Sequence, residues 1–215
     1  MSRLSPHPLA LPAALLLLCL VGLPACQSTP EKQAAKAKEL TQQAKDLNEK
    51  ALALLDKHGL KHDPELLTDA EKDLREAITL DPNLGPAHNN LGSVLFKQRK
   101  FYDAAWEFKT ASKLMPGLAE PVGNLGQVQE LAGHLEEAQK QYEDAHRLAP
   151  ENRVIIADLV RVQLRRGQHT PAVLATLNDI ALNDPRQEWR AFAQAKVALW
   201  PQSKPDTDTA PGATN

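Results

Sequence analysis

Apolar residues fall along the chain in three different patterns. Leu9 to Leu23 is a continuous apolar run, interrupted and flanked by Pro8, Pro12 and Pro24. It is shorter than the roughly 20 apolar residues that span a bilayer, so it predicts the core of an export signal. Further on, Leu40, Ala44, Leu47, Ala51 and Leu54 step by four and three, which predicts one long amphipathic helix. From there to about residue 185 the pattern repeats. Asn90-Leu91-Gly92 recurs as Asn124-Leu125-Gly126, Ala104 as Ala138 and Ala172, and Ala77 as Ala111 and Ala145. Pro82, Pro116 and Pro150 form another series, and Leu80, Leu114, Leu148 and Leu182 a fifth. All share one shift, about 34 residues. Downstream, Trp189, Phe192, Val197 and Leu199 predict a last helix ending near Leu199.

The order Leu91, Gly92, Ala104, Phe108, Ala111, Pro116, repeated as Leu125, Gly126, Ala138, Tyr142, Ala145, Pro150, resembles the tetratricopeptide signature. The resemblance implies an all-α, right-handed superhelical solenoid of about four helical hairpins with a C-terminal capping helix. Gly92, Gly126, Ala104 and Ala138 are expected where the two helices of a hairpin approach closely, so Gly92→Leu should force them apart. Phe108 and Tyr142 are expected to fill the space between neighbouring hairpins. The prolines should follow helix ends, and Gly133 and Gly167 should lie at turns inside hairpins. The outer units are degenerate. In the first, the second helix reads Leu67 to Leu80, and an insertion from His58 to Pro64 should displace its first helix, with Gly59 breaking the chain between His58 and His62. In the fourth, Val160 replaces the glycine and Asp179 the alanine.

In this architecture the first helices of the hairpins line a concave face. Its expected peptide groove comprises Asn90, Ser93 and Lys97, then Asn124 and Gln127, then Asp158, Arg161 and Arg165. A carboxamide both donates and accepts, so Asn90 and Asn124 suit an extended peptide backbone; solvated packing of the same residues is the alternative. Arg161, Arg165 and Arg166 form a basic end that also reads as a wet helix face. The chaperone-type groove that clamps a terminal carboxylate needs Lys and Arg where this chain has Pro86, Asn89 and Glu120.

At the N-terminus, Leu23-Pro24-Ala25-Cys26 directly after the apolar run resembles a lipobox, with Pro24 departing from the usual small residue. That resemblance implies lipidation of Cys26, with two or more acyl chains anchoring the protein. Gln27 implies sorting to the outer membrane. An ordinary cleaved leader or an uncleaved anchor are the other readings. The expected organisation is a signal peptide at 1–25, a lipid-linked tether at 26–36, a repeat domain at 37–199 and a disordered Pro/Thr/Asp-rich tail at 200–215. Cys19 would leave with the signal, and the mature body would carry no other cysteine.

Composition narrows the function. Of 215 residues, 42% are hydrophobic and only 4% aromatic, which favours helices. A net charge of −2 offers no footprint for nucleic acid. No phosphate loop, CxxC pair or nucleophile elbow occurs, so no cofactor, metal or catalytic residue is expected. His58 and His62 are read as two exposed loop histidines, not metal ligands. The expectation is a periplasm-facing, outer-membrane scaffold for other proteins or peptides, similar to lipoproteins that assist pilus, secretion or outer-membrane assembly. A regulator of peptidoglycan enzymes is the alternative, and an enzyme a distant third. Oligomeric state stays open.

Overall fold

A computed structural model describes residues 29–200; the expected signal peptide, Cys26 and the residues from 201 onward expected as a tail lie outside these. Every regular element among the described residues is a helix. In chain order they are α1 (Pro30–Lys61), α2 (Pro64–Leu80), α3 (Gly85–Lys97), α4 (Phe101–Leu114), α5 (Ala119–Leu131), α6 (Leu135–Leu148), α7 (Arg153–Arg165), α8 (Pro171–Asn183) and α9 (Gln187–Ala198). The body that carries the repeats runs from Leu40 onward. In it α3/α4, α5/α6 and α7/α8 form hairpins, α1 from Leu40 onward and α2 share a core through Ala44, Ala51, Leu67, Ala70 and Leu74 as the first of the four units, and α9 packs on α8. None of the described helices is long and apolar enough to cross a membrane.

Two sequence expectations change at the start of the chain. Residues 30–36, expected as tether, are already helical: Pro30 opens the first turn, Glu31 complements the helix dipole, and Ala34 and Ala35 favour the helix. The expected loop from His58 to Pro64 is mostly helix as well. Gly59 sits inside α1, since one glycine costs only about 1 kcal/mol in a helix. The break comes later. His62 adopts a left-handed conformation at φ 53°, and Pro64 cannot continue the ladder. Asp63 accepts a hydrogen bond from the Glu65 amide at 2.9 Å and caps α2. His58 therefore lies on a helix, with Nδ1 2.8 Å from the Asp63 carbonyl.

The second, third and fourth hairpins turn through a left-handed residue at one repeat position, which the His62 break of the first does not share. Gly133 (φ 84°) and Gly167 (φ 74°) fill it in the third and fourth hairpins, but Arg99 (φ 65°) does so in the second. Pro82, Pro116 and Pro150 each sit two residues past the end of α2, α4 and α6.

Inside the hairpins the signature residues interlock. A Cβ on Gly92 would lie 2.7 Å from two ring carbons of Phe108, and one on Gly126 would lie 2.9 Å from Tyr142 Cε1. Phe108 and Tyr142 are thus seated on the glycine notch of their own hairpin, which corrects their expected place between hairpins. Tyr142 also reaches Val162 of the next hairpin. In the fourth hairpin Val160 closes the notch and joins Leu177, Ile180 and Ala193 in a separate cluster. Trp189, Phe192 and Trp200 cover that cluster, so Trp200 belongs to the packed body and not to the expected tail.

Candidate protein-binding face

The odd-numbered helices lie side by side, and their polar residues meet across the seams. All eight groove residues expected from sequence lie on these helices: Asn90, Ser93 and Lys97 on α3, Asn124 and Gln127 on α5, Asp158, Arg161 and Arg165 on α7. They do not form a row of free groups. Asn90 Nδ2 donates to Asn48 Oδ1 on α1 at 2.8 Å. Asn124 Nδ2 donates to Asn89 Oδ1 at 3.1 Å, and Asn89 Nδ2 donates to Glu120 Oε1 at 2.9 Å. Gln127 Nε2 donates to Asp158 Oδ2 at 3.3 Å. Ser93 turns back to the Asn89 carbonyl within its own helix, and Lys97 is exposed.

The expected basic end is an ion cluster around Glu130, a neighbouring groove position. Glu130 is 4% exposed, at the α5–α7 seam. Arg161 grips it through Nε at 2.9 Å and Nη2 at 2.7 Å, a two-pronged contact that suits a guanidinium. Arg165 Nη1 adds a third contact at 3.0 Å, and the Tyr142 hydroxyl donates a fourth at 2.9 Å. Arg161 also pairs with Asp158 at 2.6 Å. Burial works to raise the Glu130 carboxyl, but the hydrogen bonds from Arg161 and Arg165 outweigh it and hold the group below its ordinary value. Asp158 goes the other way: burial dominates and raises it, against the pull of Arg161. Burial and the charges of Asp158 and Glu130 together push the Tyr142 hydroxyl well above its usual value. Arg166, read with these two as a basic end, instead donates to Gln139 at 2.6 Å on the α6 side.

Around this cluster Phe96, Gln127, Leu131, Arg161 and Arg165 line a cavity of about 440 Å³. Leu131 is largely exposed there, so the face offers apolar contacts beside half-buried carboxamides. Trp189 of α9 closes the far end, with the Arg161 guanidinium 5.4 Å from its ring centroid and that of Arg186 5.3 Å away. At two of the positions where a terminal-carboxylate clamp was expected to need cations, Asn89 Nδ2 donates to Glu120 Oε1, and Glu120 brings negative charge.

Glu130 and Tyr142 escaped the sequence prediction as a hub, yet a signal existed. One repeat earlier the same two positions hold Phe96 and Phe108. The chain exchanges an apolar pair for a carboxylate and a hydroxyl together, and a buried tyrosine hydroxyl needs an acceptor. Among the described residues, no group of three or more His, Cys, Asp or Glu side chains is placed to hold a metal ion.

No family model and no curated protein matches the chain. Solved structures do. The first tetratricopeptide domain of Spaghetti (RPAP3), bound to an HSP90 peptide, SRMEEVD, matches with a TM-score of 0.53 and 23% identity over 59% of this chain and 95% of that one. The Arabidopsis OM64 TPR domain gives 0.54 and 17%, covering 59% and 98%. An O-GlcNAc transferase from Thermobaculum terrenum gives 0.51 and 20%, covering 68% of this chain but 26% of that one. At these identities the likeness defines the fold: an all-α helical stack of the tetratricopeptide type.

Proposed function

We propose that this protein is a lipid-anchored, non-catalytic scaffold of the bacterial cell envelope that holds an extended segment of another protein along its odd-numbered helices. The observation that carries the reading is the line of half-buried carboxamides, Asn90, Asn124 and Gln127, running beside Phe96 and Leu131. Each carboxamide uses one hydrogen bond to stitch neighbouring repeats and keeps further donor and acceptor capacity for a peptide backbone. The tetratricopeptide domain of Spaghetti holds a peptide, which supports the same use of this fold; the arrangement of Asn89 and Glu120 favours a segment bound through its backbone over one bound by a free C-terminus.

The anchor rests on Leu23-Pro24-Ala25-Cys26 behind an apolar run. Acylation of Cys26 would tether the body to the outer membrane, facing the periplasm, with no spanning helix. Assembly of a pilus, secretion or outer-membrane machine is the role we assign.

A photo-crosslinker placed at Asn124 in intact cells tests the reading. Capture of a subunit of such a machine, reduced by Asn90→Ala, supports it. Capture of a peptidoglycan enzyme would move the protein to cell-wall regulation. No crosslink above that of an exposed control site on α6 would remove the scaffold reading for this face.

A further inference from the structure

Lys97, Leu131 and Arg165 are one repeat apart, and each is the last residue of its helix, on α3, α5 and α7. All three are exposed. Across the helices the row therefore runs cation, apolar, cation. Lys97 makes no hydrogen bond or ion pair among the described residues. Arg165 reaches Glu130 through Nη1, its Nε and Nη2 have no partner among the described residues, and its side chain is 45% exposed. A place at a helix C-terminus suits the dipole of each helix but uses none of these side-chain donors.

The carboxylates of the same helices are already engaged. α3 has none, α5 has Glu120 and Glu130, and α7 has Asp158. Glu130 takes Arg161, Arg165 and the Tyr142 hydroxyl, and Asp158 takes Arg161 and Gln127. Arg161 is spent on these two through Nε, Nη2 and Nη1. Glu120 accepts from Asn89 and stands eleven residues before Leu131, about 16 Å away along α5 at 1.5 Å per residue. The charge left open at the row is positive. Beside it Phe96 and Leu131, the latter 59% exposed, line the cavity of about 440 Å³.

We infer that this row selects an extended protein segment in which an apolar residue stands between two acidic ones, about three residues from each. The inference rests on the scaffold reading above and names the segment that its face prefers. Packed helices lie about 8–10 Å apart, and an extended chain advances about 3.3 Å per residue. Three residues therefore carry a segment from one helix to the next. A leucine-sized side chain enters the cavity against Phe96 and Leu131, while one carboxylate meets Lys97 and the other meets the open side of Arg165. Charge complementarity of this kind sets register and partner choice. A cationic segment finds no open carboxylate at the row. A flat anionic bilayer would meet the two cations but leave the cavity beside Leu131 unfilled.

The test is fluorescence anisotropy with the full chain and three amidated peptides labelled at the N-terminus: SETSLTSES, its glutamine form SQTSLTSQS and its lysine form SKTSLTSKS. The acidic peptide is expected to bind at least about fivefold tighter than the glutamine form, the margin of two exposed ion pairs, and to lose that margin in about 1 M salt. Lys97→Glu breaks no side-chain bond of the fold and should keep the melting temperature. It and Arg165→Glu should each weaken the acidic peptide by about twofold or more, and the double variant should invert the preference in favour of the lysine form. Loss of a merely structural contact would not invert it. Lys109→Glu, a matched charge change on α4, should leave all three affinities within about twofold. Equal affinity for the three peptides overturns the inference and leaves the scaffold reading standing. Absence of saturable binding to any of them overturns it as well, and capture at Asn124 then decides the scaffold reading separately. So does Lys97-dependent sedimentation with phosphatidylglycerol vesicles without discrimination among the peptides.

Discussion

Replacing Gly92 by alanine separates packing from helix propensity. Alanine in a helix interior is favoured over glycine by about 0.8–1 kcal/mol. Taken alone, that predicts stabilisation. The new methyl group, however, would sit 2.7 Å from Phe108 Cδ1 and Cε1 and 3.1 Å from Cγ. Ordinary carbon contacts lie at about 3.5–4 Å, so the ring or the helix must yield by roughly 1 Å. Phe108 is 2% exposed and cannot swing into solvent. Overpacking of this kind costs about 1–3 kcal/mol, up to twice or more the propensity gain. The net expectation is a loss of up to about 2 kcal/mol, or up to roughly 8 °C in melting temperature for a chain of this size. Two controls make the result readable. Gly59 has nothing within 4 Å of its would-be Cβ, and Gly123 meets only ordinary contacts at 3.8 and 3.9 Å. Alanine at either should be neutral or stabilising. The assay is urea unfolding followed by circular dichroism, with the slope checked because repeat arrays need not unfold in one step. The combination Gly92→Ala with Phe108→Leu should be less destabilised than the sum of its parts. If Gly92→Ala is as stable as the Gly59→Ala protein, the notch does not set the hairpin spacing.

Further changes probe the turns, the ion cluster and the titrating groups. Arg99→Gly should stabilise by several tenths of a kcal/mol, because a left-handed non-glycine residue costs about 1–2 kcal/mol and part of that returns as unfolded-chain entropy; thermal unfolding checks it. Glu130→Phe alone should destabilise by about 1–3 kcal/mol, since it orphans the buried Tyr142 hydroxyl while the half-exposed Arg161 and Arg165 turn to water. Glu130→Phe with Tyr142→Phe restores the arrangement of the preceding repeat and should recover much of that loss in the same denaturation assay. The hydrogen bond from His88 to Glu107 raises the His88 pKa, so its stabilisation is full below the ordinary value of 6.5 and fades as pH rises through the folded value. Melting temperatures from about pH 6 to about pH 9 should therefore fall less in His88→Gln than in wild type. Glu130 and Glu71 lie below their ordinary 4.5 and act oppositely, adding stability above that value that is lost as pH falls. Cys26→Ser should release the protein from membranes on fractionation; retention would remove the acyl anchor.

The repeats were legible because each signature position answers to local geometry. A small residue at Gly92 or Gly126, a ring one helix later and a proline past the helix end recur at a fixed shift, and the packing that needs them recurs too. The same register marks residue 99 as equivalent to Gly133 and Gly167, although nothing about an arginine announces a left-handed turn. The ends of α1 were misread for a different reason. Gly59 looks like a stop, but a single glycine opposes a 32-residue helix by too little, and the stop belongs to Pro64. The residues expected to form a groove lie on α3, α5 and α7, yet their electrostatics were hidden. Arg161 and Arg165 read as a solvated run because Glu130, their partner, lies a whole repeat earlier in the chain. Such pairing is written in the stacking of helices, not in neighbouring residues.

The α8–α9 corner gives the stack a direction. Asp184, 1% exposed, is held by Arg186, whose Nη2 also reaches the Arg153 carbonyl, and Arg190 donates to the Asp184 carbonyl. The turn is thereby riveted to α7 as well as to α8, while two guanidinium groups, of Arg161 and Arg186, lie over the Trp189 ring. In a nearest-neighbour array, the last unit ordinarily frays first because it has a neighbour on one side alone. Here that unit is clamped from two directions. Thermal opening should therefore enter elsewhere, and amide protons of α7 and α8 should outlast those of α2 in hydrogen exchange. A load applied through the N-terminal side of the array would then peel it from the first hairpin onward, leaving the last hairpins folded.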